Sequence, residues 1–137
     1  MATETFHCSV VTPERAVLDT DEASFVALPA HDGEIGVLRG RAPLLCQLGF
    51  GTLRVESKEG KEVFFVDRGF AQMVDNRLTI LTEQARRPSE IELEEVESAL
   101  EEARSLELQG GEDLWDDERQ LAIGRALAQQ KVKALED

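Results

Sequence analysis

The sequence predicts an all-β sandwich of about ten short antiparallel strands, followed by an antiparallel two-helix hairpin. Three observations predict it. Apolar residues alternate with period two in short runs up to about residue 84, Pro88-Ser89 ends that pattern, and a period of three to four then runs on across Gly110-Gly111. The change of period divides the chain into a sandwich domain over residues 1–86 and a helical hairpin over residues 87–137.

In TFHCSVVT, Phe6, Cys8 and Val10 alternate with His7, Ser9 and Val11, the pattern of a half-buried strand. RAVLDT and EASFVALPA read as two more short strands. GTLRVESKEGKEVFFVD reads as a hairpin, with Leu53 and Val55 alternating before Lys58-Glu59-Gly60-Lys61 and Val63 to Val66 running on after it. FAQMVDNRLTILTE is a second hairpin, turning at Asp75-Asn76, two residues that tolerate positive φ. Ser89-x-x-Glu92 has the form of a capping box, and Leu93, Val96, Leu100 and Ala103 follow on one helical stripe to about residue 108. A second helix is expected over residues 113–135, with Leu114, Leu121, Ala128, Val132 and Leu135 on its stripe. Gly110-Gly111 joins the two as a hinge of low steric resistance.

The 137 residues suffice for one or two small domains with a core of their own, but not for a large catalytic cleft. The formal charge of −13 is unevenly spread: residues 1–88 hold 13 acids and 10 bases, residues 89–137 hold 15 acids and 5 bases. So acidic a surface repels phosphate backbones and anionic headgroups, which argues against nucleic acid and against direct lipid insertion. Cys8 and Cys46 are too few for a disulfide scaffold. MATETFHCSVV has no basic start and no apolar stretch of a signal peptide, and no apolar run approaches the roughly 18 residues of a membrane span. These features predict a soluble intracellular chain.

Catalytic groups are scarce. His7 and His31 are the only histidines, and His7 reads as a sheet-surface residue. His31, Asp32 and Glu34 can be drawn as metal ligands, but zinc needs three or four placed groups with a supporting shell, so no metal is expected. Neither cysteine has a neighbouring base, and no G-x-x-x-x-G-K-[ST] phosphate loop occurs. The helices differ in charge: the first carries eight glutamates against Arg104, whereas Arg119, Arg125, Lys131 and Lys133 follow one another on the second with no acid between them. Dipole matching explains such a basic helix end; a surface built for an acidic partner is the other reading.

The stretch PAHDGEIGVLRGRAPLLCQLGFGTLRV is similar to the most characteristic segment of the epsilon subunits of F-type ATP synthases. Gly33-Glu34-Ile35-Gly36, Ala42-Pro43-Leu44-Leu45 and Gly51-Thr52-Leu53-Arg54-Val55 match that family's G-E-[IL]-G turn, A-P-L-L segment and G-x-[LI]-[RK]-V hairpin. The likeness continues through VFFVDRGFAQMVDNRLTILTEQA and covers essentially the whole chain. It implies a ten-stranded sandwich and a two-helix domain in the central rotor stalk, bound to the gamma subunit and the ring of c subunits. The chain would sit peripherally at the cytoplasmic face of the bacterial inner membrane, coupling proton or sodium flow to rotation without an active site of its own. The helices would either lie folded on the sandwich or extend into the alpha/beta catalytic head, where they restrain ATP hydrolysis.

The same resemblance implies roles for residues. His31, Asp32, Gly33 and Glu34 would dock on the c ring, with Gly33 and Gly36 letting the backbone turn closely, the latter by a positive φ. Arg119, Arg125, Lys131 and Lys133 would meet the catalytic head, the acidic first helix drawing them back to the folded state. Arg39-Gly40-Arg41 departs from the family's usual Pro-Gly-His. No cofactor is expected; the family's [IL]-D-x-x-R-A nucleotide motif is matched by Asp116 and Arg119 but not by Trp115 or Gln120. The alternative reading is a small β-sandwich ligand-binding or sensory module whose acidic helices form a partner-binding tail.

Overall fold

A computed structural model describes residues 4–108 and 116–135, with side chains over 4–105 and 120–135. The strands are β1 (Phe6–Val11), β2 (Ala16–Ala30), β3 (Gly33–Val37), β4 (Leu44–Ser57), β5 (Gly60–Val74) and β6 (Arg77–Arg86), followed by a 3-10 turn at Pro88–Glu90 and helices α1 (Leu93–Leu108) and α2 (Asp116–Lys133). In the order β1-β6-β5-β4-β2-β3, with β1 also paired to β2, five strands close on themselves and the short β3 is left as the edge strand on β2. Every pair is antiparallel except β1–β6.

There are six continuous strands rather than about ten. RAVLDT and EASFVALPA are one strand, β2, bent at its register shifts. The hairpin of β4 and β5 keeps one register from Ser57↔Gly60 to Leu44↔Met73, and that of β5 and β6 from Val74↔Arg77 to Phe65↔Arg86. Yet each of these strands reverses the face it buries. β4 buries Leu48 and then Leu53 and Val55; β5 buries Phe64 and Val66 and then Ala71 and Met73; β6 buries Leu78 and Ile80 and then packs Ala85 inward. Side chains alternate along a strand, so an odd spacing between buried sets means a change of face. The three reversals lie opposite one another in the ladder and form a corner. Before it and after it, the same strands belong to different layers.

Backbone geometry holds the corner. Arg68 and Gly69 both have positive φ, 57° and 127°. A Cβ on Gly69 would stand 1.9 Å from the Leu81 carbonyl oxygen, so only glycine fits. The buried Thr82 hydroxyl lies 2.7 Å from the Arg68 carbonyl and 3.1 Å from those of Asp67 and Gln84. Its single O–H donates to one of them, the Arg68 carbonyl being nearest, where the turning ladder would otherwise strand an acceptor.

The 3-10 turn begins two residues after β6. The capping box forms two positions earlier than the sequence suggests: the Glu90 carboxylate accepts from the Arg87 N–H at 2.8 Å, while the Ser89 hydroxyl makes no such bond. The first α1 turn closes separately, Val96 N–H donating to the Glu92 carbonyl at 3.1 Å. On α1, Val96, Leu100 and Ala103 are buried, but Leu93 is exposed. On α2 the expected stripe is buried only in part. Of that stripe, Val132 is buried and Ala128 packs on the same cluster, but Leu121 and Leu135 face solvent and Ala126 is buried instead, because a close helix–sheet approach selects small side chains. Leu114 and the hinge Gly110-Gly111 lie outside the described residues. The end of α2 lies beside the start of the helical region, with Lys133 Nζ 3.1 Å from the Pro88 carbonyl, so α1 and α2 run antiparallel.

Two substitutions test the corner. Thr82→Val should cost about 1–2 kcal/mol of unfolding free energy in urea, the weight of a stranded buried carbonyl. Gly69→Ala should cost more than about 3 kcal/mol through clash and backbone strain together. Wild-type stability in both would remove the corner from the account.

Candidate docking and latch site

The reversal at the corner gives the sandwich two separate outer faces. On the first, the ladder aligns Leu45 and Gln47 of β4 with Gln72 and Phe70 of β5, then with Thr79 and Leu81 of β6, and Leu81 with Val11 of β1. Leu45, Phe70 and Leu81 are 70%, 54% and 52% exposed, and Val74 adjoins them. Four large apolar residues on one open sheet face form a patch of the kind that marks a protein contact. Sequence alternation hid it, because Phe70 and Leu81 continue runs whose other members are core.

The second outer face is covered by the helices. Phe65, Ile91, Val96, Leu100, Ala126 and Val132 form a buried cluster, with Phe50, Val63, Ile123 and Ala128 packed around it. α2 approaches so closely that a Cβ on Gly124 would stand 2.6 Å from the Phe50 ring. Next to it, Arg125 Nε lies 3.1 Å from Oδ1 and 3.0 Å from Oδ2 of Asp67, and the guanidinium sits 5.8 Å from the centre of the Phe50 ring. Asp67 is buried at the corner, and it keeps a second cation, Arg68 Nε at 3.4 Å, which in turn reaches Glu83 at 3.0 Å. The basic helix is thus held to the sandwich, and Arg125 pairs with Asp67 rather than with a glutamate of α1. Sequence reasoning missed Asp67 and Gly124. The available signals were an acid ending the apolar run VFFV and a glycine inside a good helix-forming segment.

The acidic turn lies beside the first part of β4. His31-Asp32 is a two-residue hairpin loop between Ala30 and Gly33, tied to β4 by the His31 N–H and the Gln47 carbonyl at 2.8 Å. His31, Asp32, Gly33 and Glu34 are all exposed. Gly33 takes the positive φ, 140°. Gly36 does not; it is small for a different reason, since a Cβ there would meet the Phe25 ring at 3.0 Å. Arg39 is a strap, donating from Nη1 to the Thr5 carbonyl at 2.8 Å, while the Gly40 N–H donates to Asn76 Oδ1 at 2.7 Å. Arg41 and Asp32 both lie close enough to Cys46 to act on its thiol in opposite senses, and burial pushes that thiol up from its ordinary range. Cys8, deep in the core, is pushed up to about 12 by burial, with Asp19 adding to it. A raised thiol pKa disfavours the thiolate that a nucleophile needs.

Lys131 is exposed, and the side chains of Asp116 and Arg119 lie outside the description. Among the described residues no three His, Cys, Asp or Glu side chains converge to hold a metal, and no helix is long and apolar enough to cross a membrane.

Residues 5–88 match the family model of the ATP synthase Delta/Epsilon chain β-sandwich domain. The chain is 50% identical over 96 residues to the ATP synthase epsilon chain of Rhodopirellula baltica, covering 70% of this chain and 74% of that one. The chain belongs to the ATP synthase epsilon family. The family likeness includes the helices: the epsilon chain of Syntrophomonas wolfei is 35% identical over 138 aligned positions, covering 99% of this chain and 98% of its own. A chain of the Euglena gracilis mitochondrial ATP synthase, solved as OSCP/F1/c-ring in rotational state 1, superposes with a TM-score of 0.82 at 26% identity, covering 96% of this chain and 82% of that one. A chain of the Tetrahymena thermophila mitochondrial central stalk/c-ring shares the fold, with a TM-score of 0.66 at 15% identity over 97% of this chain and 99% of that one. The epsilon chain is a subunit of an enzyme complex, and the free-standing sensory-module reading falls away.

Gly124→Leu should lift α2 off the sandwich, since the larger side chain cannot share space with Phe50. Amide exchange in α2 should speed up about tenfold or more while the sandwich keeps its urea midpoint. Unchanged exchange would mean that the close approach does not hold the helix.

Proposed function

We propose that this epsilon chain is a non-catalytic rotor-stalk subunit of a proton- or sodium-translocating ATP synthase. It couples c-ring rotation to the catalytic head and restrains ATP hydrolysis through a releasable helical hairpin. The observation that carries the reading is the division of the sandwich surface: one outer face closed by the hairpin through a small charge-assisted contact, the other left open and apolar. The open face of Leu45, Phe70, Val74 and Leu81 is the surface for the gamma subunit. The exposed acids Asp32 and Glu34 suit a basic loop of the c subunits. On this reading the chain sits peripherally at the cytoplasmic face of the bacterial inner membrane, with its contacts made to protein rather than to lipid.

Energetics favour a releasable hairpin. Exposing the buried Phe65 costs about 2 kcal/mol. Losing the partly buried Arg125–Asp67 pair costs about 1–2 kcal/mol more, moderated because Asp67 retains Arg68. The rest of the buried cluster adds to that cost, so release requires a partner that binds the open hairpin better than the sandwich does. Once released, Arg125, Lys131 and Lys133 are free to meet acidic surface in the alpha/beta head, together with Arg119. The cleft between α1 and α2, about 320 Å³, is lined by Arg86, Glu95, Ala99 and Arg125. A nucleotide, if this chain takes one, would meet Asp116 and Arg119, whose side chains lie outside the description; Arg125 in the cleft is committed to Asp67.

Two experiments on the reconstituted complex check the assignments. Removing residues 89–137 should raise ATP hydrolysis while the sandwich stays bound to gamma; unchanged hydrolysis at every nucleotide and salt concentration would eliminate the brake. Phe70→Asp should weaken gamma binding, and Glu34→Arg should weaken retention on c-ring membranes by about 1–3 kcal/mol, each leaving the other contact intact. Wild-type retention of both variants would reject both surfaces.

A further inference from the structure

His7 stands on the outer face of β1 with both ring nitrogens occupied. Nδ1 lies 2.5 Å from Asp21 Oδ1 and Nε2 lies 2.9 Å from Asp19 Oδ1. The register explains the arrangement. Ser9 opposes Asp19 and Cys8 opposes Thr20, so Asp21 comes next, opposite His7, and both carboxylates share the imidazole's face. Phe6 then opposes Ala23, which leaves Glu22 as the extra residue of a bulge, its N–H donating to the Thr20 hydroxyl at 3.1 Å.

Hydrogen-bond inventory decides the charge. An ionised carboxylate only accepts, so both ring nitrogens must donate, and only the imidazolium does so. A neutral ring would turn one lone pair towards a carboxylate. The two aspartates contact opposite edges of the ring and cannot close with it on one ion; the site is built for a proton. The other charged residues next to the ring in the register are Glu22 on β2, Arg77, which opposes His7 on β6, and Asp75 in the turn next to Asn76, whose carbonyl accepts the His7 N–H at 3.0 Å; Glu83 and Arg86 lie further along β6. With the ring charged, His7 and Arg77 balance Asp19 and Asp21.

We propose that His7, Asp19 and Asp21 form a proton-dependent clasp on the β1–β2 seam that closes the barrel. The clasp stands independently of the stalk reading. It holds while the ring carries both protons and the carboxylates are ionised. A ring that loses either proton turns a lone pair towards a carboxylate, and the clasp opens. Because β1 also borders the open apolar face through Val11 and Leu81, its release loosens the edge of that face.

The test uses the full chain with nitrogen-15 histidine. At about pH 6, His7 should show two protonated nitrogens, each with a hydrogen-bonded N–H slow enough to observe, and exposed His31 should not. Between about pH 6 and about pH 8.5, the folding equilibrium constant should fall roughly two- to fivefold further in wild type than in His7→Gln, while His31→Gln follows wild type. If His7→Gln does not fold, the Asp19→Asn and Asp21→Asn double variant carries the comparison. A neutral ring tautomer at the lower pH, or equal pH dependence with and without the clasp, overturns the proposal.

Discussion

The fold depends on the corner at which three strands exchange their buried faces. A strand that alternates strictly serves one layer only. Here Gly69, with its positive φ and no room for a Cβ, and Thr82, with its hydroxyl among three carbonyls, let β5 and β6 change face without breaking the ladder. One closed sheet thereby acquires two layers and two outer faces. Everything functional follows from that division, since one face is free for a partner while the other carries the chain's own helices.

Asp67 joins the corner to the helices. It ends the second-layer part of β5, beside the strained Arg68, and so presents a nearly buried carboxylate where α2 passes over Phe50. A carboxylate in that position would be costly if α2 left it without a cation. Arg68 reduces that cost, which makes the docked state favourable but not permanent. The acidic α1 has a smaller part than its charge suggests. Its glutamates lie largely on the solvent side, while α2 is anchored through arginine, a close glycine contact and small apolar residues.

Much of this was legible in the sequence, and the failures have physical causes. The two-residue turns at Lys58-Glu59 and Asp75-Asn76 were readable because turn chemistry is local. The change of period at Pro88 was readable for the same reason. Strand number was not, because a strand that changes face at a corner looks like two strands separated by a break. The α2 stripe was right at Ala128 and Val132 and wrong at Leu121 and Leu135, because leucine spacing says nothing about how closely a helix approaches a sheet; Gly124 and Ala126 mark the contact. At the acidic turn the residue pattern identified the exposed acids but exchanged the reasons for its glycines, since a ring contact such as Gly36 with Phe25 is non-local. The Arg125–Asp67 pair spans residues too far apart for any sequence period to suggest.

The central claim is that the corner carboxylate holds the movable helix through Arg125. Its most direct test is a double-mutant cycle of Asp67→Asn and Arg125→Gln in the isolated chain, read as the opening free energy of α2 by native-state amide exchange. The account predicts that the two single losses are not additive, with a coupling of about 1 kcal/mol favouring the native pair. Additive effects, with no coupling beyond a few tenths of a kcal/mol, would contradict it.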